Sequence, residues 1–206
     1  QTALKLIANS LYGFTGAAVG QLPCRAVAES ITAYGREFIE GKMHAMEREF
    51  GKQMPPELTQ NGTRAPVVLG GDTDSIFVIL PGCDTPELAI KWALVAAKWL
   101  NDNFHERPME TIFEKLYYPA EYIAAKRYGG RKWQKATGPD QVPRPDGKGT
   151  WDQVDMKGIE SVRRDNCTLL SDLINDVLRK VLCEGSVVEA AKQVAGTIDD
   201  LRMGKA

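Results

Sequence analysis

The sequence predicts an α+β protein, an antiparallel sheet flanked by helices, on three observations. Apolar residues recur at helical spacing near residues 1–16, 24–50 and 85–104 and from about residue 168 onward. The stretch "VVLGGDTDSIFVIL" reads as strand, tight turn, strand, and two more extended stretches, "METIFEKLYYP" and "EYIAAKRYGG", follow the third helix. Hairpin-like pairs of strands between helices make an antiparallel sheet.

Bulk properties bound the class and leave function open. The chain has 206 residues, 43% apolar and 26% charged, an ordinary globular composition sufficient for one or two domains. A formal net charge of -1 excludes a globally basic nucleic-acid or membrane binder, so any binding face must come from local clustering. Cys24, Cys83, Cys167 and Cys183 are far apart and form no C-x-x-C pair. That spacing argues against zinc or iron–sulfur sites and for reduced, mostly buried thiols in a reducing compartment. No apolar run approaches the ~18 residues of a membrane helix, so no membrane partner is expected. With no initiator methionine and helical pattern at both ends, the chain reads as an excerpt of a longer one.

In the opening "QTALKLIANSLYGFTGAAVG", the helical turn angle places Leu4, Ile7 and Leu11 on one stripe and Lys5, Asn9 and Tyr12 on another, with Gly13 and Gly16 ending the helix. Pro23 suits a first helical position. Val27, Ile31, Tyr34, Phe38, Met46 and Phe50 then mark a long helix packed on a core. "GKQMPPELTQNGTRAP" is a surface connection. Thr85 as N-cap and Pro86 as first residue open the third helix, whose apolar face is Leu88, Trp92, Ala96 and Trp99, covering one side of the sheet. The Gly-, Pro- and cation-rich stretch from Gly129 to Thr150 reads as a mobile loop, "WDQVDMKGIE" as renewed extended structure, and the C-terminal helical pattern breaks near Gly185. Internal repeats and low-complexity segments are absent from the sequence.

"GGDTDS" is the sharpest chemical signal. Asp72 and Asp74 lie two apart between apolar strands, and Gly70 and Gly71 let the backbone turn closely. Magnesium takes carboxylate oxygens while keeping waters and substrate phosphates, so a rigid pair at a hairpin tip suits it beside a phosphate-bearing substrate. A solvated Asp-rich turn is the plainer reading of D-T-D alone. Lys5, Asn9 and Tyr12, at i, i+4 and i+7, place a cation, an amide and a phenol on one exposed strip, fit for a triphosphate and a stacked nucleotide. A single helical lysine is usually just solvated. The two motifs together, separated by a long helix, are the stronger statement.

"KLIANSLYGFTGA" resembles the K-x-x-x-N-S-x-Y-G motif of family B DNA polymerases, and "GDTDS" resembles their palm aspartate motif. "LPCRAVAESITAYGR", "FEKLYYP", "AKRY" and "KGIESVRRDNC" are similar to further segments of that family. The resemblance implies fingers ending at residue 22, palm over 23–158 and the start of a thumb over 159–206. It implies templated nucleotidyl transfer from deoxynucleoside triphosphates to a primer 3′-hydroxyl on primer–template DNA, with Mg2+ as cofactor. Lys5 would contact the triphosphate with Asn9 beside it, and Tyr12 would pack near the nascent base pair. Asp74 would ligate both metals, with Asp72 close by in a less direct role. Lys126, Arg127 and Tyr128 match a K-K-R-Y segment at the primer end, and Lys157 with Gly158 matches a segment following the primer backbone.

Two positions depart from that pattern: Gly70 stands where tyrosine is common, and Ala125 replaces the first lysine of K-K-R-Y, leaving one cation fewer near the primer. The D-x-x-S-L-Y-P-S segment that supplies the other metal-binding aspartate is absent, so the chain by itself is expected not to extend primers. A sliding clamp and accessory subunits are partners the resemblance admits. So is a nuclear location for a cellular protein, or the host nucleus or cytoplasm for a viral one. Arg131, Lys132, Lys135, Arg144 and Lys148 are equally consistent with phosphate contacts and with a solvated loop. Arg163, Arg164 and Asp165 read as a surface ion pair, with a joint between palm and thumb as what the resemblance favours. Two other functions stay open. "GGDTDS" is also similar to the G-G-D-E-F hairpin of palm-type cyclic-nucleotide synthases, against which the Lys5–Asn9–Tyr12 helix argues. An inactive polymerase-like DNA-binding module would have no need of Lys5, Asp72 and Asp74.

Overall fold

The computed structural model describes residues 2–17, 23–55, 65–104, 109–134, 144–145 and 154–205. In chain order these form α1 (Thr2–Gly16), α2 (Arg25–Arg48), a 3₁₀ turn (Phe50–Gln53), β1 (Val67–Asp72), β2 (Ser75–Ile79), α3 (Pro86–Asn103), β3 (Leu116–Ala124) and β4 (Arg127–Gln134). Then come β5 (Arg144–Pro145), β6 (Val154–Lys157), a 3₁₀ turn (Glu160–Val162), α4 (Thr168–Leu182) and α5 (Val187–Arg202). Helices with small antiparallel sheets are the α+β class the sequence predicts. The described strands form two sheets, however: β1–β2 alone, and β3–β4 with β5 and β6 both on the far edge of β4. Two compact units result, Gln1–Met54 with Arg64–Ile79, and Pro55–Thr63 with Leu80–Ala206.

In the first unit α2 is the spine. Its start differs from expectation: Cys24 is the N-cap residue and Arg25 the first helical one, so Pro23 lies just outside. The Cys24 N–H donates to the Thr15 carbonyl at 3.0 Å, tying the start of α2 to the end of α1. The apolar stripe does not pack along its whole length. Ala28, Lys42, Ala45 and Met46 are buried, whereas Val27, Ile31 and Tyr34 are exposed. Burial follows the partners: the last turns of α2 meet the β1–β2 hairpin and the 3₁₀ turn with its buried Phe50, while near its start Gly16 approaches the Ala28 methyl. The Lys42 ammonium lies over the Phe38 ring at 4.0 Å, where the ring face compensates part of its lost hydration. On α1, Leu4, Ile7 and Leu11 are at least 57% exposed, so its apolar stripe is uncovered within the described chain.

In the second unit α3 begins as predicted, with the Thr85 hydroxyl accepting the Leu88 N–H at 3.3 Å and Pro86 first. Its buried face is Ala89, Ile90, Ala96 and Leu100, and Leu88, Trp92 and Trp99 sit half-buried at the margins, Trp99 against Phe104. α3 packs on β3, the first strand of the second unit's sheet.

The strands that follow also fall differently. Residues 109–115 are not strand, and the reversal comes at Ala125–Lys126 instead of after Pro119. Pairing of β3 with β4 slips between Tyr117 and Ala120, and this irregularity accommodates Pro119, which has no N–H to donate. Gly129 and Gly130 lie inside β4, not in a loop. A Cβ at Gly130 would stand 2.9 Å from both the Pro119 carbonyl and the Tyr117 Cβ, so the glycine permits strand contact. Lys135 and Lys148 lie outside the described residues. α4 and α5 confirm the break near Gly185, whose φ of +67° suits glycine. The cysteines are free as expected, but Cys24 and Cys167 are exposed and Cys83 and Cys183 half-buried, because three of them cap helix ends and so lie at the surface.

Candidate active site

The α1 backbone places Lys5, Asn9 and Tyr12 on one strip spanning about 10 Å of helix axis, and all three side chains are exposed. The neighbouring Ser10 hydroxyl is spent locally, donating to the Leu6 carbonyl at 2.8 Å, so it does not compete for that strip. A cation, an amide and a phenol are thereby open to a ligand along one helix face.

The β1–β2 hairpin carries the two aspartates. Asp72 pairs with Ser75, so Thr73 and Asp74 form a two-residue turn. Such turns need a left-handed residue at the first centre, and Thr73 supplies it with φ of +60°, an outlying conformation for a β-branched side chain. The backbone of Asp72 is the last residue of β1, and the Asp74 side chain is exposed at the tip. A bulge between Val68 and Gly70 and a hydrogen bond from the Val68 N–H to Glu47 Oε1 (3.3 Å) join the hairpin to α2. A Cβ at Gly71 would lie 3.6 Å from Ile39 Cγ2 and 3.9 Å from Met43 Sδ, so the strand runs close over that helix. Hard oxygen donors on a fixed turn are the chemistry that magnesium prefers. Among the described residues no three His, Cys, Asp or Glu side chains gather, so a metal here would draw further ligands from elsewhere.

A second constellation forms where β4 and β6 meet. Lys126 is exposed in the β3–β4 turn with φ of +64°, Tyr128 pairs with Lys157, and Gly158 follows with φ of +61°. A Cβ on Gly158 would stand 2.0 Å from the Lys126 carbonyl oxygen, so glycine is what lets the two segments touch. Arg127 forms an ion pair with Glu160. Tyr128 is buried, stacked on Tyr122 (6.1 Å, 8°) and tilted against Tyr117 (5.9 Å). Lys126, Arg127, Tyr128, Lys157 and Gly158 are therefore one neighbourhood.

Beneath it lies a charged network. Asp155 Oδ2 accepts the Tyr117 hydroxyl at 2.7 Å and the Lys115 ammonium at 3.2 Å, and Oδ1 stands 3.7 Å from the Lys157 ammonium. Burial alone would raise the Asp155 pKa, but the Tyr117 hydrogen bond and the lysines outweigh it and hold it below the usual carboxylate value. Burial pushes the Tyr117 phenol up, most strongly of the effects on it. Burial would lower Lys115, yet Tyr117 and Asp155 leave it raised.

The model of DNA polymerase family B matches residues 1–205. The chain belongs to DNA polymerase family B. It is 41% identical to the DNA polymerase delta catalytic subunit of Glycine max over 206 residues, 40% to that of Schizosaccharomyces pombe over 206, and 40% to that of Drosophila melanogaster over 201. These alignments cover 98–100% of this chain and 17% of each relative, so the chain spans about one sixth of their length.

In this family B chain the structure places Asp72 and Asp74 on one hairpin, Lys5, Asn9 and Tyr12 on one helix in the same unit, and Lys126, Arg127, Tyr128, Lys157 and Gly158 in the other unit. Reading the sequence overlooked Lys115, Tyr117, Asp155 and Glu160. The period-two spacing of Asp155 and Lys157 on a strand was the available signal for one pair. Lys115 and Asp155 are 40 positions apart and carry no local pattern. The Arg163–Asp165 pair is present, bidentate at 3.1 and 2.7 Å and exposed. Among the described residues no helix is long and apolar enough to cross a membrane. Family B DNA polymerases are metal-dependent enzymes.

Proposed function

We propose that this family B chain is a segment of a delta-type catalytic subunit that performs templated nucleotidyl transfer. It comprises the end of the fingers (1–22), the palm (23–158) and the start of the thumb (159–206). The observation that carries the reading is the hairpin with Asp72 at the end of β1 and Asp74 in its turn, in a chain whose residues 1–205 match that family. Its substrates are deoxynucleoside triphosphates and primer–template DNA. A sliding clamp and accessory subunits are proposed partners, and the nucleus of a cellular source, or the nucleus or cytoplasm of a virus's host, is the proposed location.

Asp74 and Asp72 would hold Mg2+, which would supply charge neutralisation at the reacting phosphate. Lys5 donates to the triphosphate oxygens, Asn9 holds the nucleotide beside it, and Tyr12 packs against sugar and base. These groups orient the nucleotide for in-line attack and need no covalent intermediate with the protein. Lys126, Arg127 and Lys157 follow primer phosphates, with Tyr128 and Gly158 setting the shape of that surface.

The test is extension of a primed template by the full-length polymerase carrying this segment, with and without Mg2+. Extension that follows the template, stops on chelation and returns with Mg2+ is expected. A cyclic dinucleotide made without template would favour the synthase reading, and tight DNA binding with no extension would favour an inactive module.

A further inference from the structure

We propose that Asp155 is a positioning residue for DNA binding, a carboxylate fixed from below by Tyr117 and Lys115 that aims the Lys157 ammonium at a primer phosphate. This rests on the reading of Lys157 as a phosphate contact. The two oxygens of Asp155 face different partners: Oδ2 takes both short bonds, from Tyr117 at 2.7 Å and Lys115 at 3.2 Å, while Oδ1 faces Lys157 at 3.7 Å.

Exposure divides the cluster in the same sense. The side chains of Lys115 and Asp155 are 16% and 22% exposed, and that of Lys157 is 55% exposed. Lys115 and Asp155 are thus the inner pair, and Lys157 is the cation at the rim. Lys115 also lies 3.2 Å from Asp155 and 5.2 Å from the Tyr117 ring centre, which holds it on the inner side. Glu114 Oε1 also stands 3.7 Å from the Lys115 ammonium, so the inner lysine is shared by two carboxylates and the charge that meets an anion is that of Lys157 at the rim. The depressed pKa of Asp155 keeps it ionised throughout the neutral range. Across the ladder Lys157 pairs with Tyr128, two residues from the exposed Lys126 of the β3–β4 turn.

The sign of one substitution decides the matter. Removing a carboxylate near DNA tightens binding if that charge acts only through space, because it repels phosphate. If it aims Lys157, removing it weakens binding. Primer–template affinity and its salt dependence should be measured for the full-length polymerase carrying this segment, with Lys157→Ala, Asp155→Asn and their double variant. Lys157→Ala should weaken binding about five- to tenfold near physiological salt and reduce the magnitude of the log–log salt slope by about 0.9, one phosphate contact. Asp155→Asn should also weaken binding and reduce that magnitude, and its effect should vanish in the Lys157→Ala background.

Tyr117→Phe keeps every charge and removes one tether, so it should give a smaller loss of the same sign; it also serves if Asp155→Asn does not fold. Tighter or unchanged binding by Asp155→Asn, or by Tyr117→Phe where that variant stands in, overturns the positioning role while Lys157→Ala still weakens binding. Unchanged affinity in Lys157→Ala overturns the phosphate contact itself, and the positioning role with it.

Discussion

The aspartate hairpin and the β4–β6 corner are built on the same device and finished differently. Each has a two-residue turn with a non-glycine residue in the left-handed region, Thr73 at +60° and Lys126 at +64°. At the first, the polar side chain of Asp74 is left exposed and the surrounding order comes from backbone pairing and the α2 surface. At the second, charged side chains are tied to one another: Arg127 to Glu160, and Asp155 to Tyr117, Lys115 and Lys157. The difference suits two kinds of ligand. A metal ion completes the coordination of an open carboxylate, whereas a grip on an extended polyanion needs long cationic side chains restrained before it arrives.

The contrast is broken or sharpened by four substitutions. Gly158→Ala should be the most damaging, because it forces a Cβ against the Lys126 carbonyl at a left-handed backbone position; a loss of about 2–5 kcal/mol in the local opening free energy is expected. Amide hydrogen exchange across the Tyr128–Lys157 ladder of the full-length protein reads it, and unchanged protection would mean that the corner is not tightly joined.

Lys5→Ala comes next. A charge-assisted bond to triphosphate is worth roughly 1.5–3 kcal/mol, so kcat/KM should fall about ten- to a few hundredfold, alike for all four nucleotides, with primer–template affinity barely changed. Single-turnover incorporation with each nucleotide checks it; a loss confined to one base would refute the assignment.

Asp155→Asn should give a pH-dependent loss of stability. The folded pKa of Asp155 lies below its unfolded value, so its contribution is present above the ordinary carboxylate pKa of about 4 and is lost as pH falls through the depressed one. The Tm difference between the unsubstituted protein and the variant should therefore be full at neutral pH and close in acid. A constant difference would deny the shift. Lys115, raised, contributes fully below its ordinary value of about 10.4, and that contribution is lost as pH rises from there through the raised folded value.

The smallest effect belongs to the hairpin. Gly71→Ala meets the Ser75 carbonyl at 3.1 Å and the Ile39 and Met43 side chains further off, on ordinary backbone, so about 1 kcal/mol or less is expected. A loss as large as that of Gly158→Ala would erase the contrast between the regions.

What the sequence made readable follows the range of the interactions. The hairpin was predictable because its strands, turn and aspartates lie within fourteen consecutive residues, and α1 because a helix face is a local pattern. The start of α3 was readable from Thr85 and Pro86, a cap and first residue in order. The β3–β4 turn was misplaced because Pro119 looks like a strand end, and only pairing with β4 reveals an irregularity that tolerates it. Gly129 and Gly130 looked like loop for the same reason: their task, letting strands approach, is set by residues far away in the chain. The Lys115–Tyr117–Asp155 network spans forty positions and has no signature in any window. Half of the α2 stripe proved exposed because periodicity gives a face, not what covers it.

The central claim is that the hairpin serves the chemical step and the corner serves DNA binding. It is tested most directly by measuring single-turnover incorporation and primer–template affinity side by side for Asp74→Asn and Lys126→Ala in the full-length polymerase. Asp74→Asn should lower the incorporation rate at least ~10²–10³-fold, with DNA affinity within about twofold of the unsubstituted enzyme. Lys126→Ala should weaken DNA binding, by less as salt rises, and leave the rate at saturating DNA close to normal. Loss of the same quantity in both variants, or near-normal incorporation by Asp74→Asn, would contradict the account.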